Sequence, residues 1–252
     1  MNDPLFTRLH IATLTTALCT TVIFTMWPGL DIMASAAFTD GQGNFIATRM
    51  SFPSALNAGL RKVTEIAALL TILYTAWLWL ARRADRNWLR CWSFLTASFL
   101  LGPGLIVNFL LKEQVGRARP ANVTLFGGEQ QFTAAFQITD QCTTNCSFTS
   151  GEAALSAAWV FGLVALLWGG LSARGRAWAL LGGGSLVLIN PGLRVILGRH
   201  FLSDVLVSVL IAALTTLAMY RLLNIGEARA PFAPAQLRAR MRSFAGLLRW
   251  RR

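Results

Sequence analysis

Residues 91–120 read CWSFLTASFLLGPGLIVNFLLKEQVGRARP. From Cys91 to Leu111 no residue carries a charge, a run matching the ~20 residues a helix needs to cross hydrocarbon. At Lys112 the pattern breaks into a polar stretch that closes on Arg119 and Pro120. Gly102, Pro103 and Gly104 interrupt the run and predict a kink or a close helix contact there. A spanning segment that ends directly in cations is the unit around which the chain is read.

Working outward, five further apolar runs appear: Leu9 to Met26, Val63 to Ala81, Ser150 to Leu171, Ala177 to Leu193 and Phe201 to Tyr220. Pro191 and Gly192 are expected to bend or end the fifth helix, and GGG at Gly182–Gly184 predicts tight packing. Of the 252 residues 54% are hydrophobic and only 13% charged, where a soluble domain would carry roughly 25% charge. The mean hydropathy is +0.51. The predicted fold class is all-α, a six-helix transmembrane bundle. The N-terminal run is long and lacks a small-residue cleavage site, so it reads as a retained helix rather than a signal peptide.

The net charge is +12. The arginines gather in ARRADRNWLR (residues 81–90), at Arg174 and Arg176, and in the tail LRARMRSFAGLLRWRR. Such clusters set topology and meet anionic head groups. No zinc-finger spacing or aromatic-basic interleaving is present, so nucleic acid is not a predicted partner. Nor is an obligate protein partner. With six crossings both termini share a side with these clusters, which the positive-inside rule makes cytoplasmic. The opposite side then holds Asp31–Lys62, Lys112–Glu152 and Arg194–His200. Asp31–Lys62 reads as an extramembrane loop with a surface helix near Arg61, and residues 122–145 as a loop over the site. One domain is expected over residues 1–225, followed by a basic cytoplasmic tail at 226–252. Cys142 and Cys146, in CTTNC, can form a disulfide if their loop faces an oxidising compartment. Two cysteines alone do not make a metal site, and no metal or cofactor is predicted.

Three polar stretches thus lie on one side: KEQVGRARP (112–120), SFTSGE (147–152) and RVILGRHFLSD (194–204). Lys112, Arg119 and Arg194 are fixed cations suited to a phosphate, which carries up to two charges and accepts many hydrogen bonds. Ser150 and Gly151 open a helix, whose N-terminal N–H groups and dipole form an anion seat. His200 and Asp204 stand i to i+4 at the start of the last span. An aspartate on one imidazole nitrogen would leave the other free as base or nucleophile. Asp204 also sits inside an apolar span, where an ionisable side chain is usually functional.

These motifs resemble the three-part signature of the type 2 phosphatidic acid phosphatase superfamily: K-x6-R-P at 112–120, S-G within 147–152, and R-x5-H-x3-D at 194–204. The resemblance implies a haloperoxidase-like helical core and metal-independent cleavage of phosphomonoesters or pyrophosphates, often on lipids. It implies that Lys112, Arg119 and Arg194 hold the phosphoryl oxygens with Ser150 and Gly151. His200 would attack phosphorus, and Asp204 would orient it. In soluble haloperoxidase relatives the same seat holds vanadate. Two positions depart from the pattern. Glu152 stands where the family has the histidine that protonates the leaving oxygen, and Leu193 where a serine precedes the arginine. Glu152 can be the general acid, the leaving group can be good enough to need little help, or the chain can mainly bind phosphorylated lipids. The stretch Asp31–Phe45, D…F…G.F, resembles a bacterial branch acting on lipid A and related lipids. The expected function is therefore a phosphatase acting on a phosphorylated membrane lipid through a phosphohistidine. Its expected place is a bacterial inner membrane, with the site on the periplasmic side. The alternatives are a phosphorylated-lipid binding or carrier protein, and a lipid phosphotransferase.

Overall fold

The computed structural model describes residues 4–82 and 85–249. Arg83 of the arginine loop and Trp250–Arg252 of the tail lie outside them. The elements are α1 (Pro4–Met26), α2 (Gly29–Ala36), α3 (Ser51–Ala81), α4 (Arg86–Gln114), α5 (Gly151–Leu167), α6 (Ala173–Ile196), α7 (Leu202–Leu222) and α8 (Pro234–Arg249). All except α2 and α8 are long and apolar enough to cross a membrane. The fold is an all-α, six-helix transmembrane bundle. Its outer surface carries exposed Leu18, Leu69, Leu70, Trp77, Leu80 and Leu188. Apolar exposure on that scale belongs against lipid rather than water.

In hydrocarbon every backbone N–H and C=O must be bonded within the chain. That pressure explains where the helices outrun the sequence reading. Pro191 and Gly192 do not end α6, which continues to Ile196. Gly102–Gly104 lie inside α4, as the single span over Cys91–Leu111 implied. The helix rewinds as a π-helix over Leu100–Leu111, and Asn108 Nδ2 donates to the Pro103 carbonyl at 2.8 Å. Gly102 also lets α4 approach α7, since a Cβ there would stand 2.5 Å from Thr215 Oγ1. In the GGG run only Gly183 is tightly packed, against Val160; Gly182 and Gly184 face open space.

α5 lies at the centre, packed against α4, α6 and α7. Its buried Ala154, Ala157 and Ala158 allow close approach, and Phe94, Leu95, Phe99 and Ala212 fill the space around them. Small residues at such seams let helices gain dispersion contacts where no hydrophobic drive exists between them. Ile225, Ala228 and Phe232 join the same core, so the chain just past residue 225 packs with the bundle. Arg90 is no free head-group anchor: its Nη2 donates to the Leu223 carbonyl at the end of α7, at 2.6 Å.

The largest difference from expectation lies before residue 63. Asp31 is helical, in α2, and fully buried. α3 begins at Ser51, so Arg61 sits within a long helix and not on a separate surface segment. The polar residues of SFPSALNAGLRK blurred that start in the sequence. They face a cavity.

Candidate active site

One end of the bundle gathers the end of α4, the starts of α3, α5 and α7, and the end of α6. Between them lies a cavity of about 650 Å³. Lys112, Arg119, Gly151, Glu152 and Arg194 line it, joined by Arg61 and Arg199. Five cations (Arg61, Lys112, Arg119, Arg194 and Arg199) thus face two carboxylates (Glu65 and Glu152). That surplus suits a doubly charged anion.

Each cation arrives by a different route. Lys112 follows the π-wound part of α4. Arg119 is extended and stands just before the short 3-10 turn that Pro120 opens; its Nη2 donates to the Asn145 carbonyl at 2.8 Å. Arg194 occupies the last turn of α6 rather than lying beyond it, where a cation complements the helix dipole. Its Nη1 pairs with Glu152 Oε1 at 2.9 Å. Arg194 Nε and Glu152 Oε2 are both buried and lack a protein partner among the described residues, an unmet donor and an unmet acceptor on one ion pair of the cavity.

The start of α5 divides the work differently from the reading above. Ser150 is fully buried. Its Oγ caps the helix by accepting from Ala153 N, and its own N–H donates to Ser208 Oγ at 2.7 Å. Ser150 is therefore a structural cap whose backbone donor is already used. Gly151 lines the cavity, and its N–H is among the orphan donors of the first turn. A Cβ at Gly151 would collide with the Asn108 side chain.

His200 is 1% exposed. Nδ1 lies 2.6 Å from the Ser147 carbonyl, and Nε2 lies 3.3 Å from Arg194 Nη2. A carbonyl only accepts and a guanidinium only donates. Nδ1 therefore carries the proton, and the lone pair of Nε2 points at the Arg194 cation. Asp204 is not hydrogen-bonded directly to the ring, the contact its spacing suggested. Its carboxylate is 3.9 Å from Nδ1 and bonds instead to Arg117 at 2.6 Å, Ser147 Oγ at 2.5 Å and the Phe201 N–H at 2.8 Å. A full cation at bonding distance outcompetes a neutral imidazole. Burial pushes the His200 pKa well below its ordinary value; Arg194, Lys112 and Arg119 push the same way, and the Ser147 carbonyl opposes them.

The loop over residues 115–150 closes this end, and a Cys142–Cys146 disulfide ties it. Among the described residues no group of three or more His, Cys, Asp or Glu side chains is placed to hold a metal ion.

Several residues at this end were not singled out by motif. Arg117 sits inside the first motif, and nothing in its sequence neighbours distinguishes it from a surface arginine. Asp31 did carry a signal, as the first residue of the D…F…G.F stretch, though nothing there marked it as a partner of Arg117. Arg61 and Arg199 lacked one.

The fold and this site define an all-α membrane protein with a cationic pocket beside a buried histidine. The profile of the PAP2 superfamily matches residues 92–225, more than half of the chain and all three polar motifs, and the chain belongs to that superfamily. It is similar to the lipid A 4'-phosphatase of Rhizobium leguminosarum, 44% identical over 108 residues, 43% of this chain and 44% of that one. The lipid A 4'-phosphatase of Rhizobium etli is 40% identical over 109 residues, again 43% of this chain and 40% of the relative. The chain thus spans less than half the length of these two relatives. The lipid A 4'-phosphatase of Francisella tularensis subsp. novicida is 28% identical over 208 residues, 80% of this chain and 90% of the relative. No solved structure matches.

Proposed function

We propose that this protein is a phosphatase that removes a monoester phosphate from a membrane glycolipid of the lipid A type, without a metal and through a phosphohistidine at His200. The observation that carries the reading is the imidazole itself, with Nδ1–H held by the Ser147 carbonyl and the Nε2 lone pair turned to the Arg194 cation. Arg194, Lys112 and Arg119 would hold the phosphoryl oxygens, with the Gly151 N–H as a further donor. Nε2 attacks phosphorus as the P–O bond to the lipid breaks. The leaving oxygen takes its proton from Glu152 or from water. Water then attacks phosphorus, the P–N bond breaks, and the water's proton passes to Glu152. An acceptor lipid in place of water would make the same cycle a phosphotransfer. The polar wall of Ser54, Asn57 and Arg61 on α3, with Asn145 opposite, suits a hydroxyl-rich head group more than a bare phosphate. Arginines on the opposite end (Arg86, Arg90, Arg174 and Arg176) favour a cytoplasmic placement for that end and a periplasmic one for the site.

The test is phosphate release by the purified protein in detergent with EDTA, offering lipid A, phosphatidylglycerophosphate, phosphatidic acid and an isoprenyl pyrophosphate. Release from lipid A above the rest is expected. Binding of these lipids without release from any would make the protein a phosphorylated-lipid binding or carrier protein instead. The acid limb of kcat/KM is expected below the ordinary histidine value of about 6.5, because neutral imidazole is the attacking form and its protonation is opposed. Lys112→Met removes one opposing cation, so the limb should move to higher pH. A limb that moves down or stays would remove Lys112 from His200's surroundings.

Glu152→Gln is expected to lower kcat on the lipid by about 10²-fold, the range of general acid catalysis. With p-nitrophenyl phosphate, whose leaving group needs no proton, the first-turnover burst of p-nitrophenol should slow by less than about 10-fold by the same argument, since that burst precedes the water step in which Glu152 takes a proton. Equal losses in the first turnover of both substrates would assign Glu152 to holding Arg194 rather than to protonating the leaving group.

A further inference from the structure

Arg117 lies two residues before Arg119 but does not line the cavity. Its side chain is fully buried. Nη2 donates to Asp31 Oδ2 at 2.8 Å, Nη1 to Asp204 Oδ1 at 2.6 Å and to Ser203 Oγ at 2.9 Å, and Nε to the Thr133 carbonyl at 2.9 Å. The Phe201 ring lies 4.2 Å from the guanidinium carbon. Asp31 accepts again from the Ser203 N–H at 2.8 Å and the Ser203 hydroxyl at 2.6 Å. This cluster joins α2, the loop and α7 in the dry interior.

The cluster reaches the imidazole by two routes. Asp204 Oδ2 accepts from Ser147 Oγ. The Ser147 N–H donates to the Arg117 carbonyl at 2.8 Å. Ser147 is thus held by both its side chain and its backbone, and its carbonyl is the group on His200 Nδ1. Two carboxylates and one guanidinium also leave one negative charge in excess behind the ring. In front of it stand Arg194, Lys112 and Arg119, with Glu152 paired to Arg194. Forming the P–N bond makes the ring cationic, and a fixed negative charge behind Nδ1 is complementary to that state.

We propose that Arg117 is a positioning residue for the nucleophile, acting on His200 through Asp204 and Ser147 while Asp31 holds it from α2. This rests on the phosphatase reading above. The asymmetry of the contacts supports it: Arg117 touches no wall of the cavity, yet every bond that fixes the ring's protonated side runs back to it.

The test is a kinetic double-mutant cycle with Arg117→Lys and Ser147→Ala. A lysine keeps the charge but cannot fork to both carboxylates. Arg117→Lys is expected to lower kcat by about 100-fold, as small misplacements of reacting groups do, with KM changed less than about 3-fold since no substrate contact is lost. Ser147→Ala should lower kcat in the same direction, and the double variant should be no worse than the weaker single, because both break one chain of contacts. Losses that multiply, or folded variants with unchanged kcat, would overturn the proposal. If Arg117→Lys does not fold, Asp31→Asn takes its place with the same outcomes. A second readout needs no turnover. In a His10→Gln background His200 is the only histidine, and its ¹⁵N shifts report the tautomer. The Nδ1–H tautomer alone is expected in the parent, and a mixture in the variants. A parent inert on every lipid with that tautomer pattern intact would defeat the phosphatase reading and leave the positioning contacts standing. A tautomer unmoved by the variants would defeat the positioning.

Discussion

His200→Ala is expected to lower phosphate release by at least about 10⁴-fold, the scale on which removal of an essential nucleophile acts. Lipid binding should change little, since the cavity walls are Lys112, Arg119, Glu152, Arg194 and their neighbours. The expectation follows from uniqueness within the site. The chain has two histidines, and His10 lies on α1. Near the cations, Nε2 of His200 is the neutral nitrogen with an available lone pair. His200→Asn is the sharper form, because a side-chain amide can still donate to the Ser147 carbonyl and keep the loop in place. Rapid quenching in base should trap a phosphorylated parent protein whose label is lost in acid, as a P–N bond requires. The Asn variant should carry no label. An Asn variant that turns over normally, or a label stable to acid, would move the chemistry to another residue and end the histidine mechanism.

The second large effect is on stability. Arg117→Met is expected to destabilise the protein by about 3–5 kcal/mol, the usual consequence of removing one partner from a buried ion pair. Asp31 and Asp204 are both fully buried, and both would lose their cation at once. For a chain of this size that corresponds to a fall of about 10 °C in Tm, read by thermal unfolding in detergent. The double variant Asp31→Asn/Arg117→Met restores the excess of one negative charge found in the parent. It should unfold at a higher temperature than Arg117→Met alone. If the double variant is the less stable of the two, charge balance is not what Arg117 supplies, and packing against Phe201 becomes the better account. This thermal measurement is separate from the kinetic cycle, so the two roles of Arg117 can be told apart.

The residues that changed meaning between sequence and structure share one feature. Asp204 stands four positions after His200, and helical spacing alone makes it the natural partner of the imidazole. The structure instead gives its carboxylate to Arg117 at 2.6 Å, a residue 87 positions away. Ser147 lies in the second motif, yet its contact with the ring is made by its backbone carbonyl, which every residue has, while its hydroxyl serves Asp204. Ser150 reads as a phosphate donor, but its backbone N–H is already given to Ser208 Oγ. Carbonyls, used-up N–H groups and long-range ion pairs leave no mark on the identity of neighbouring residues.

The sequence alone specifies the all-α class, the apolar spans, and the arrival of three polar motifs at one end of the bundle. Those are sums over local runs: hydrocarbon selects uncharged stretches of a set length, and alternating crossings sort the loops. Its errors were at the ends of helices. α3 starts twelve residues earlier than Val63 because a cavity, unlike lipid, accepts polar side chains on a helix. α6 runs on to Ile196 rather than ending by Leu193, because a dry surrounding leaves the backbone no partner other than itself; the same pressure carries α4 through Pro103, as the uncharged run Cys91–Leu111 implied. Tertiary structure alone decided which side chains face the cavity, which nitrogen of His200 is free, and that Asp31 and Arg117 stand behind it. Each of these depends on which groups from distant segments compete for one buried donor or acceptor. That competition is settled by charge and distance after the helices have packed.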